Sequence, residues 1–246
     1  MKLDILAIGA HPDDVELSCS GTLMVHQRKG YKTGILDLTE GELGSRGTKE
    51  TRREESRHAS DIMQLDVRLN LGYRDGFFSH DEAHILPIIQ VLRRFRPDIV
   101  LATAPYDRHP DHGRSSALIK DACFLSGLIK IETQFESENQ TAWRPKRVFN
   151  YIQDQEIEPD FIIDISDVME EKMACIQAYK TQFNSRENDG IGPETYISSE
   201  SFLTRQRGRN ALMGKRIGTA YAEGFLICNQ SLGLRDFSNI ILPELV

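Results

Sequence analysis

Residues 4–18 read DILAIGAHPDDVELS. The apolar run Ile5-Leu6-Ala7-Ile8 leads straight into His11, Asp13, Asp14 and Glu16. A short unbroken apolar run bounded by Gly and Pro predicts a strand buried on both faces, as in parallel sheets. Charge just past such a strand lies at its carboxyl end, where open α/β sheets bind their ligands. A second stretch, IVLATAPYDRHPDHG over residues 99–113, has the same form and carries Asp107, His109, Asp111 and His112. HPD thus occurs twice, each time after an apolar run.

Outward from these two stretches, short apolar runs alternate with amphipathic segments. Strands are expected over 3–9, 33–38, 67–71, 98–104, 147–152 and 160–165. Helices are expected over 15–28, 49–64, 82–95, 113–129, 167–182 and 199–219. Gly30 is expected to stop the first helix, and Thr48 and Ser166 to cap the helices that follow them. Pro87 is expected in the first turn of its helix. The alternation predicts an α/β, Rossmann-like, doubly wound and mostly parallel sheet with helices on both faces, in a single domain over 1–246. The stretch 184–198, NSRENDGIGPETYIS, reads as a long loop.

The chain has 246 residues and a formal net charge of -7, with 39% hydrophobic and 27% charged residues. It has no basic face, so binding to nucleic acid is not expected. The cluster KETRREESR interleaves bases with acids and reads as a solvated helix face. No segment reaches the roughly 20 apolar residues of a membrane span. The first apolar run is short and preceded by Asp4, so it reads as a strand and not as a signal peptide. Cys19, Cys123, Cys175 and Cys228 lie far apart, which suits buried thiols in a cytoplasmic protein.

If the first and fourth strands are neighbours, His11, Asp14 and His112 can converge on one cation. Two imidazoles and a carboxylate suit Zn²⁺ with an open position, where bound water approaches a pKa of about 7. The same donors also describe a non-haem iron triad. Asp13 points away from its neighbour Asp14 and is placed to take a proton from water. His109 is placed to face a developing oxyanion, with Asp111 holding it charged. A plainer reading makes Asp13 or Asp14 a cap for the helix that follows.

AHPDDVE together with HPDH resembles the PIG-L/LmbE family of zinc-dependent deacetylases of N-acetylglucosamine compounds. DLTEGELGSRGT, RREE and YAEGF extend the resemblance over most of the chain. It is most similar to the deacetylases of bacillithiol biosynthesis, which act on N-acetylglucosaminyl malate. The resemblance implies zinc on His11, Asp14 and His112, and Asp13 as general base. It implies His109 at the oxyanion and the departing amine, oriented by Asp111. Arg52 matches a substrate-contacting position, and Glu42, Asp75 and Tyr196 are further substrate-binding candidates, Tyr196 as an oxyanion donor. The expected partner is a small amino-sugar substrate, and a homo-oligomer is expected. The C-terminal NQSLGLRDFSNIILPELV is expected to pack within the chain or at a subunit interface. Other substrates fit the same chemistry: low-molecular-weight thiol conjugates or another amino sugar. An Fe(II) oxidoreductase and an inactive sugar-binding module are the readings of a different class.

Overall fold

The computed structural model describes residues 1–183 and 192–228. The expected loop 184–198 therefore lies in part, and the C-terminal stretch 229–246 wholly, outside the described residues. The elements run β1 (Ile5–Gly9), α1 (Asp14–Ser18), α2 (Ser20–Gln27), β2 (Thr33–Thr39), α3 (Lys49–Met63), β3 (Val67–Tyr73), α4 (Glu82–Phe95), β4 (Ile99–Ala102) and α5 (Pro110–Leu125). A two-residue hairpin follows, β5 (Gln134–Phe135) and β6 (Glu138–Asn139). Then come β7 (Arg147–Tyr151), β8 (Phe161–Asp164), α6 (Met169–Gln177), α7 (Lys180–Phe183), α8 (Glu200–Ile217) and β9 (Ala222–Ile227), with 3₁₀ turns at Ser166–Val168 and Tyr196–Ser198.

The main sheet has the order β3-β2-β1-β4-β7-β9-β8. The first five are parallel, and β9 runs antiparallel to both β7 and β8. The expected doubly wound α/β sheet is therefore present. β1 pairs with β4 in register Ile5↔Ile99 and Ala7↔Leu101. The strand order reverses between β1 and β4, so the two HPD motifs flank the switch point.

All five residues of β1 are buried, as an unbroken apolar run requires. Ile5 and Ala7 join a core with Val15, Leu23 and Ile176 on one face. Leu6 and Ile8 join Ile88, Leu92 and Ile119 on the other. Each such Val, Leu or Ile side chain contributes about 1.5–3 kcal/mol when taken out of water.

Several details differ from expectation. The helix expected over 167–182 is two, α6 and α7. The helix expected over 15–28 is two helices, broken at Cys19. Pro87 lies inside α4 and not in its first turn. Ser166 belongs to a 3₁₀ turn and donates to Asp164 Oδ1 at 2.7 Å instead of capping a helix. The strand β9 was not expected, because Glu223 and Gly224 interrupt its apolar pattern. Thr48 does cap α3, accepting from the Thr51 N–H, and Gly30 adopts the left-handed φ of +87°. The cysteines are free thiols, three of them buried. Among the described residues, no helix is long and apolar enough to cross a membrane.

Candidate active site

The loop after β1 presents His11 and Asp13, and α1 begins on Asp14. Behind β4, His109 is the N-cap of α5, Pro110 opens the helix, and Asp111 and His112 fill its first turn. Proline suits that opening position because its fixed φ is already helical and its missing N–H has no partner to lose. Two helix starts thus bring their charged residues together at the switch point.

Asp14 is the link between them. Its Oδ1 lies 3.1 Å from His112 Nε2, and its Oδ2 lies 3.5 Å from His11 Nδ1. The far nitrogen of each imidazole is also held by carboxylate. His112 Nδ1 bonds Asp107 in a short contact. His11 Nε2 lies 3.0 Å from Asp75 Oδ1 and 3.4 Å from Asp111 Oδ2. Metal-binding histidines are commonly held this way, with the outer nitrogen on a carboxylate that fixes ring orientation.

The electrostatics agree. Burial opposes charge on His11, yet Asp111, Asp14 and Asp75 hold its pKa well above the usual value. Burial likewise opposes charge on His112, but Asp14 and Asp107 raise it to about 9. Burial would raise Asp14, and the two histidines outweigh it and hold its carboxyl well below the usual range. A divalent cation among these groups would satisfy the carboxylates in place of the imidazole protons. The chemistry of His11, Asp14 and His112 suits a metal, but Asp14 belongs to neither group of three whose ligand atoms all lie within 4.8 Å of one another. His109 is close as well: one ring nitrogen each of His11, His109 and His112 lies within 4.8 Å of the others, as does one ligand atom each of His11, Asp75 and Asp111.

Asp13 has the most unusual backbone of the group. It is the N-cap residue of α1, but its side chain makes no cap hydrogen bond, which sets aside the plainer capping reading. Its φ is +119°, a left-handed value that costs a non-glycine residue of order 1–3 kcal/mol. Burial pushes its pKa to about 7, with Arg52 pulling it back down.

Arg52 is buried, not turned to solvent. Its Nη1 lies 3.6 Å from Asp13 Oδ2 and donates to the Pro12 carbonyl at 3.0 Å, while Nη2 donates to Gln182 Oε1 at 2.5 Å. Gly41 makes room for it, because a Cβ there would stand 2.7 Å from Nη1.

Four expectations need correction. The Asp111 carboxylate does not orient His109. Its Oδ1 accepts from Arg114 at 2.6 Å and its Oδ2 from the Gly76 N–H at 2.8 Å, on the side facing His11. Nor is His109 held charged, because burial and then the nearby His11 and His112 lower its pKa. The Asp111 N–H donates to His109 Nδ1 at 3.3 Å, so the neutral ring carries its proton on Nε2. Glu42 is exposed and accepts from the Asp75 N–H at 2.8 Å, shaping the loop under the site. Tyr196 is a rim residue whose hydroxyl donates to Asp154 Oδ1 at 3.0 Å, so that proton is already engaged. Asp75 is a partner of His11 and lines the cavity.

A cavity of about 400 Å³ opens over these groups. Its walls include two residues to which the sequence reading assigned no role, Asp107 and Gln153. Gln153 Nε2 donates to Asp14 Oδ1 at 3.0 Å. It follows β7 as Asp107 follows β4, and that shared place past a strand end was the available signal.

Residues 6–123 match the PIG-L family model, described as GlcNAc-PI de-N-acetylase. The chain is 28% identical over 234 residues to diacetylchitobiose deacetylase of Thermococcus kodakarensis, covering 89% of this chain and 81% of that protein. It is 26% identical over 199 residues to the probable N-acetyl-α-D-glucosaminyl L-malate deacetylase 2 of Bacillus subtilis, covering 74% of this chain and 84% of that one. The crystal structure of a conserved protein from Thermus thermophilus superposes with a TM-score of 0.81 at 37% identity, covering 95% of this chain and 98% of that one. With both HPD motifs meeting at one switch point and relatives along nearly its whole length, the chain belongs to the PIG-L/LmbE deacetylase family.

Proposed function

We propose that this chain hydrolyses the acetamide of an N-acetylglucosaminyl substrate, releasing acetate and a free amine, and that the substrate is N-acetylglucosaminyl malate. The observation that carries this reading is Asp13. A buried acid with a pKa near 7 is held in a strained conformation on the wall of the cavity, beside a donor set that suits a metal. A general base works best when its pKa lies near the working pH.

His11, Asp14 and His112 would hold Zn²⁺, which supplies a Lewis acid for the acetamide carbonyl and for water. Asp13 takes the proton of the attacking water on its carboxylate. Arg52 keeps Asp13 in place through their 3.6 Å contact. His109 offers its Nε2–H as a hydrogen bond to the oxyanion, and Asp13 passes the proton it took from water to the departing amine as the C–N bond breaks. One such donor is worth about 10² to 10³ in rate. The B. subtilis relative supports the malate conjugate as substrate, and the T. kodakarensis relative supports the deacetylation of an amino sugar.

The test pairs metal content with acetate release from N-acetylglucosaminyl malate, on wild type and Asp13→Asn. Wild type is expected to hold about one zinc per chain and to release acetate. The variant is expected to keep the metal and lose about 10² to 10⁴ in turnover. Full activity in the metal-loaded variant would remove Asp13 as the base. No acetate from wild type would overturn the substrate assignment.

A further inference from the structure

Three arginines line the cavity: Arg52, Arg108 and Arg209. Two of them face a carboxylate. Arg52 Nη1 lies 3.6 Å from Asp13, and Arg108 Nε lies 3.2 Å from Asp154. Arg209 differs. Its Nη2 donates to the Leu17 carbonyl at 3.2 Å, and among the described residues no carboxylate oxygen lies within 4.0 Å of it. The acids nearby are already engaged: Asp154 by Arg108 and Tyr196, Asp107 by His112, and Glu223 by Lys172.

The wall around Arg209 holds two further polar atoms without partners. Ser18, at the end of α1, is 4% exposed, and Gln206, one turn before Arg209 on α8, is 6% exposed. Both line the cavity, and neither Ser18 Oγ nor Gln206 Oε1 has a hydrogen-bond partner. Residues three apart on a helix share a face, so Gln206 and Arg209 act together. A guanidinium stays charged at any working pH, and a desolvated charge without a counter-charge is costly. An unsatisfied donor or acceptor adds to that cost. A carboxylate in the cavity would give Arg209 the counter-charge that it lacks within 4.0 Å among the described residues.

We infer that the α8 wall of the cavity is a subsite for a carboxylate carried by the aglycone of the substrate, with Arg209 as the residue that selects it. Arginine suits this task because its planar fork matches both oxygens of a carboxylate. The inference rests on the reading above that this cavity takes an acetylated amino sugar, and it gives acid recognition to Arg209, because Arg52 already faces Asp13.

The experiment compares an acidic and a neutral ligand on the purified metal-loaded protein. Binding of glucosaminyl malate and of methyl glucosaminide is titrated to wild type, Arg209→Gln and Arg209→Lys; neither amine is turned over. Wild type is expected to bind the acidic ligand at least tenfold more tightly. Arg209→Gln erases that gap and leaves the neutral ligand within about twofold, and Arg209→Lys restores part of it. With the acetylated malate conjugate, Arg209→Gln raises KM and leaves kcat within about twofold. An absent gap in wild type, or an equal loss for both ligands in Arg209→Gln, would overturn the subsite. If wild type releases no acetate from the malate conjugate while the binding gap persists, that substrate assignment fails and the subsite stands.

Discussion

Lys172 Nζ and Glu223 Oε1, both fully buried, lie 2.7 Å apart across the break between α1 and α2. Glu223 accepts from the N–H groups of Gly21 and Thr22, at 3.0 and 2.7 Å. Lys172 donates to the carbonyls of Glu16 and Leu17, at 3.1 and 2.9 Å. One ion pair thus takes up the backbone groups that the interrupted helix leaves unpaired.

Removing one partner of a buried pair strands the other charge and costs about 3–5 kcal/mol. Lys172→Met is therefore expected to lower the denaturation midpoint strongly. The double variant Lys172→Met/Glu223→Gln should recover part of the loss. Urea unfolding of the three proteins measures this. Equal midpoints for wild type and the single variant would show that the pair does not hold the break.

The short contact between Asp107 and His112 Nδ1 makes a second prediction. It fixes the ring with Nε2 toward Asp14, and losing such an outer partner typically costs 10- to 100-fold in metal affinity. Asp107→Ala is expected to release zinc to a chelator at a correspondingly lower chelator concentration than wild type. Unchanged zinc retention would mean that Asp14 alone orients His112.

A pH prediction comes from beneath the site. Arg68 is shared by two buried acids: it meets Asp37 at 2.8 and 3.1 Å and Glu16 at 2.5 Å. One cation balances only one of them, and burial raises Asp37 to about 6, with Arg68 opposing. The folded pKa lies above the unfolded value of 3.8, so the folded state binds the proton more tightly. The stabilisation is complete below about 4 and is lost as pH rises through about 6. Relative to Asp37→Asn, wild type is expected to lose on the order of 3 kcal/mol across that window and then level off. Denaturation of both proteins between pH 4 and 8 checks it, and a difference that grows in favour of wild type would reverse the sign.

The strand pattern and the meeting of His11, Asp14 and His112 were legible because both follow from local order. Apolar runs such as Ile5 to Ile8 mark buried strands, and HPD after a run marks a strand end. What stayed hidden depends on groups far apart in the chain. Asp75 reaches His11 across 64 positions, and Glu223 meets Gly21 across 202. Asp111 sits beside His109 in sequence but turns to His11 and Arg114, because Gly76 and Arg114 are the donors on that side. Pro87 was misplaced because the helix start is set by Asp81, whose side chain accepts from the His84 N–H.

The left-handed backbone at Asp13 has one more consequence. Glycine occupies that conformation without strain, so the fold by itself would be served better by a residue with no side chain. An acid there is therefore a cost to folding that persists for some other reason. Selection of variants for heat resistance alone would be expected to drift toward glycine at position 13, and to discard turnover in the process.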